Sequence, residues 1–60
     1  MTQPLHQYDG DNGMRSVITI GHNGRYHVQL QDVDADLYLP TVYIYPTLQQ
    51  ATIKAKEIIS

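Results

Sequence analysis

The sequence predicts an α+β fold: a three-stranded antiparallel sheet, one C-terminal helix packed on one of its faces (β-β-β-α), and an irregular N-terminal tail. Three observations carry this. Residues Tyr26 to Gln31 alternate cleanly, with Tyr26, Val28 and Leu30 on one side and His27, Gln29 and Gln31 on the other. Asn23-Gly24 just before them is a hairpin signal. After Pro46, apolar residues recur at helical spacing.

Residues 1–13 read as a flexible tail, and 14–60 as a single small domain. Pro4 and the cluster Asp9-Gly10-Asp11-Asn12-Gly13 interrupt any period, leaving Leu5 and Tyr8 as the only anchors. The first predicted strand runs from Arg15 to Ile20 and is rich in β-branched residues. The turn after it decides which of its faces is buried. A three-residue His22-Asn23-Gly24 loop pairs Ile20 with Tyr26 and Ile18 with Val28, with Gly24 in a left-handed conformation. A two-residue loop would slip the register and bury Val17 and Thr19 instead, which is worth less by about 1–2 kcal/mol. The longer loop is therefore expected.

Asp32-Val33-Asp34-Ala35-Asp36 reads as the next turn, Leu37-Tyr38-Leu39 as a short extended piece before Pro40, and Thr41 to Tyr45 as the third strand proper, since Pro40 cannot donate to a central ladder. Thr47-Leu48-Gln49-Gln50 fits a capping box in which Gln50 reaches back to the cap amide. Leu48, Ala51, Thr52, Ala55, Ile58 and Ile59 form the helix's apolar face, and Ile53 falls on the opposite side. The expected core face of the sheet is Ile18, Ile20, Tyr26, Val28, Leu30, Val42 and Ile44. The expected open face then carries Val17, Thr19, His27, Gln29, Gln31, Thr41, Tyr43 and Tyr45.

Composition limits function. With 60 residues, folding buries roughly 5,900 Å², about 60% of it apolar and so worth about 90 kcal/mol, against an ordering cost of about 90 kcal/mol. Small domains close such a balance with disulfides, a metal or oligomerisation. There is no cysteine, so homodimerisation is the expected route. The net charge is −2 and the basic residues are scattered, so nucleic acid is not the expected partner. No apolar run approaches a membrane span, and Met1-Thr2-Gln3-Pro4 has no signal pattern, so a cytoplasmic, non-membrane protein is expected.

No catalytic machinery, cofactor or metal is expected. Asp32, Asp34 and Asp36 have the spacing of calcium-loop ligands, but Leu37 stands where that loop needs glycine and Tyr43 where it needs glutamate. His6, His22 and His27 show no i, i+4 spacing, Ser16 and Ser60 lie in no nucleophile motif, and Glu57 is the single glutamate. The candidate partner-binding residues are Tyr43, Tyr45, His27, Gln29, Thr19 and Ile53. Such a neutral aromatic surface, free of lysine and glutamate, suits a protein partner. A single-stranded nucleic acid stacking on the two rings is the alternative.

From residue 16 onward, Asn23-Gly24, Arg25-Tyr26-His27-Val28 and Thr47-Leu48-Gln49-Gln50-Ala51 leading to Ala55-Lys56-Glu57 resemble the N-terminal domain of HicB-type antitoxins. The resemblance implies a β-β-β-α domain that binds a small toxin ribonuclease. The chain departs from the family in carrying Gln31-Asp32 where Pro-Asp is common. The resemblance spans residues 16–60 and leaves no following segment for the DNA-binding part such antitoxins usually carry.

Overall fold

The computed structural model describes residues 5–11, 13–21 and 23–60. It is α+β, with an antiparallel sheet and one C-terminal helix: β1 (His6–Asp9), β2 (Met14–Ile20), β3 (Tyr26–Asp32), β4 (Leu37–Tyr45) and α1 (Leu48–Ile58). The sheet has four strands, not three, in the simple order β1-β2-β3-β4. The added strand lies in the stretch expected to be a flexible tail. His6 to Asp9 pairs antiparallel with Arg15 to Ile18, and Gly10, Asp11 and Gly13 lie in the connection between them. Gly13 takes a φ of 78°, which suits a glycine in a tight reversal. Residues 1–4 and Asn12 of the expected tail lie outside the described residues.

The hairpin between β2 and β3 has the expected register, with Ile20 opposite Tyr26 and Ile18 opposite Val28. Gly24 has a φ of 77°. His22, the first residue of the expected loop, lies outside the described residues. A Cβ on Gly24 would meet nothing within 4 Å, so its cost would lie in the backbone alone. Gly24→Ala is expected to destabilise the fold by about 1 kcal/mol, read as a lower urea midpoint; an unchanged midpoint would rule out this turn geometry.

The turn before β4 is closed by the Asp32 side chain, which accepts from the Ala35 N–H at 3.2 Å. β4 is longer than the expected Thr41–Tyr45. Leu37-Tyr38-Leu39 joins it across an irregularity, because Gln29 aligns with Val42 while Gln31 aligns with Tyr38. The three residues Leu39-Pro40-Thr41 therefore bulge opposite Leu30, and Pro40 lies in that bulge on an edge strand, where a missing donor is tolerated.

Thr47 caps α1, accepting from the Gln50 N–H at 3.3 Å. The second half of the box differs from expectation: the Thr47 hydroxyl donates to Gln50 Oε1 at 3.3 Å. Ala51 and Ala55 are fully buried against Ile18 and Val28. Their lack of bulk lets the helix sit close to the middle strands.

That closeness decides the faces of β4, and the expected faces are reversed. Val28 aligns with Tyr43 and Tyr26 with Tyr45, so both rings lie on the helix side. Val42 and Ile44 point to the open side and are 41% and 51% exposed. A narrow alanine contact leaves wedges at the flanks of the helix. Tyr8, Tyr26, Tyr43 and Tyr45 pack into them against the core. A tyrosine ring buries more area than valine or isoleucine while its hydroxyl still reaches water. Ile20, also expected in the core, is on the helix side but 46% exposed.

Candidate functional site

The open face is built from residues that alternate with the core. Cross-strand rows run Thr19–His27–Ile44 and Val17–Gln29–Val42. Three of the expected partner-binding residues, Thr19, His27 and Gln29, therefore stand on this face as expected. Tyr43 and Tyr45 do not, and Val42 and Ile44 take their places beside His27 and Gln29. The sixth, Ile53, projects from the outer side of α1 and is 59% exposed.

The face is uneven. On the β1 side it is polar, with Arg15 Nε 2.7 Å from Asp9 Oδ1. Val17 is only 3% exposed although no helix covers it; Gln7 and Gln29 flank it on the neighbouring strands. On the β4 side the surface is apolar, with Tyr38, Val42 and Ile44 all exposed. Gln29 has a structural duty that its position in the sequence conceals. Its Nε2 donates to the Leu39 carbonyl at 3.2 Å, satisfying a group at the bulge.

β4 is also an edge strand, and so is β1. They differ sharply. β1 has four residues, with His6 and Asp9 among them. β4 has nine residues and no charged side chain between Leu37 and Tyr45. Short, charged edges resist further pairing, while long apolar ones invite it.

The helix side of the same edge carries the rings. Lys54 Nζ lies 4.6 Å from the centre of the Tyr43 ring and 3.4 Å from Glu57 Oε1. At the opposite edge, on β1, Lys56 Nζ stands 5.5 Å from the Tyr8 ring. Tyr45, Gln50, Ile53, Lys54 and Glu57 line an open groove of about 270 Å³ between α1 and the β4 edge.

No family model, curated protein or solved structure matches the chain. Among the described residues, no three His, Asp or Glu side chains come together in a way that could hold a cation. Ser16 is fully buried and its hydroxyl has no hydrogen-bond partner among the described residues, so it presents no nucleophile to solvent. No described helix is long and apolar enough to cross a membrane.

The sequence-based choice of Tyr43 and Tyr45 rested on assigning the aliphatic pair to the core. The residues it missed, Val42 and Ile44, occupy the same strand one position away. The signal that could have found them is the small size of Ala51 and Ala55, which asks for large side chains opposite.

Proposed function

We propose that this chain is a non-catalytic protein-interaction module that self-associates as a homodimer through the β4 side of its open sheet face. One observation carries the reading: the nine-residue, uncharged edge strand with Tyr38, Val42 and Ile44 exposed. An exposed apolar edge in a domain of this size is an association surface or an aggregation hazard. The rings of Tyr43 and Tyr45 lie against the helix, so they offer no stacking platform on the open face, and this favours a protein over a nucleic-acid partner.

Sedimentation equilibrium from micromolar to millimolar concentration tests the reading. Wild type is expected to be dimeric. Val42→Lys/Ile44→Lys is expected to be monomeric with an unchanged circular dichroism spectrum, because both side chains are exposed and edge lysines block pairing. A monomeric wild type, or a dimer that survives both lysines, sinks this assignment. A second reading draws on the same element order, β-β-β-α from Met14 on, on which the resemblance to HicB-type antitoxins rests. There the partner would be a small toxin-type ribonuclease. Co-expression with the neighbouring reading frame decides between them, and a mixed complex favours the second.

A further inference from the structure

We propose that the second copy adds to β4 as an antiparallel strand about a two-fold axis at Tyr43, so that Val42 faces Ile44 of the second copy and two four-stranded sheets become one. This rests on the self-association proposed above and specifies its register and partner groups.

The backbone shows which groups are free. Residues on an antiparallel strand direct their N–H and C=O groups alternately to one neighbour and the other. Three bonds set the phase. The Gly21 N–H donates to the Arg25 carbonyl at 2.8 Å, Val33 to Gly13 at 3.0 Å, and Gly10 to Met14 at 2.8 Å. Odd-numbered residues of β3 thus bond to β2, and Tyr26 and Val28 turn to β4. Their partners there are Tyr45 and Tyr43. The intervening residues, Val42 and Ile44, hold their N–H and C=O groups outward, on the free edge. Their side chains are also the exposed ones of this segment.

The prolines select the register. Pro40 and Pro46 flank Tyr43 at equal distance along the chain, and neither has an N–H to give. An axis at Tyr43 sets each proline opposite the other, where no donor is wanted. Val42 and Ile44 of each copy then satisfy all of their outward groups. Moving the axis to Val42 sets Ile44 against Pro40 and leaves the Ile44 carbonyl unpaired. Moving it to Ile44 sets Val42 against Pro46 and leaves the Val42 carbonyl unpaired.

Side chains agree on both faces. On the open side, Val42 meets Ile44 of the second copy, burying the exposed apolar pair. On the helix side, the two Tyr43 residues form the closely spaced kind of cross-strand pair. Each copy brings Lys54 and Glu57 to that side, one cation and one anion, so neither side repels the other. β4 carries no charge to oppose its own image. A seam of this length gives a weak dimer, in the class of small interfaces.

Amide hydrogen exchange followed by NMR above and below the dimerisation concentration tests the register. The Val42 and Ile44 amides are expected to be protected only in the dimer, and those of Tyr43 and Tyr45 in both states. Val42→Pro removes an outward donor from each copy and leaves the β3 ladder intact. It is expected to weaken dimerisation about tenfold to a hundredfold, and Val42→Ala, which keeps the N–H, by less. A dimer in which the Val42 and Ile44 amides exchange as fast as in the monomer, or one indifferent to Val42→Pro, overturns this register and leaves self-association standing. A chain that stays monomeric overturns both.

Discussion

Ile18→Ala is expected to unfold most of the protein. Ile18 is fully buried at the centre of the sheet, aligned with Val28 and packed in one cluster with Ala51 and Ala55. Removing three carbons there loses transfer free energy and leaves a cavity, at a combined cost of about 2–5 kcal/mol. The neighbours cannot collapse into the space cheaply. Val28 is held by the ladder, and the alanines have no side chain to extend. Native domains have only about 5–15 kcal/mol in hand, and a chain this short lies toward the low end. Urea titration followed by circular dichroism should show the native baseline lost or much shortened. A midpoint within error of wild type would mean that the core lies elsewhere. Because a dimer's midpoint rises with concentration, both proteins must be compared at one concentration.

Tyr43→Ala is expected to cost about 2 kcal/mol, whereas Ile44→Ala in the adjacent position costs within about 0.5 kcal/mol. Tyr43 packs on the core cluster beneath the helix and carries Lys54 over its ring. Ile44 is 51% exposed and loses little when truncated in the monomer. Measurement below the dimerisation concentration separates folding from association. The opposite ranking would return the aliphatic pair to the core and the rings to the open face. At higher concentration the ranking for dimer affinity should reverse, with Ile44→Ala the more harmful.

Much of the fold was legible locally. The register of β2 with β3 followed from the cost of exposing Ile18, and the position of Gly24 from the turn that register needs. The Thr47 cap and the small-residue stripe of α1 followed from side-chain chemistry and helical spacing. β1 did not show itself. His6-Gln7-Tyr8-Asp9 is short and mostly polar, with no propensity signal of its own. It is a strand because β2 offers an unpaired edge and Tyr8 finds the flank of the helix. The turn cluster from Asp9 to Gly13 was visible, but a reversal means a hairpin only when there is a strand on each side of it.

The candidate site was legible by strand and not by face. Thr19, His27 and Gln29 stand where their alternation put them, because β3 has one apolar side and one polar side. Thr41 to Tyr45 has two sides that could each be buried, valine with isoleucine or tyrosine with tyrosine. A period of two cannot choose between them. Local sequence determined that this segment is a strand, that it stops at Pro46, and that a capped helix follows. Only the tertiary structure decided that Tyr43 and Tyr45 go inward. Ala51 and Ala55 bring the helix so close to β2 and β3 that its flanks need large rings to fill them, and Val42 and Ile44 are left on the edge.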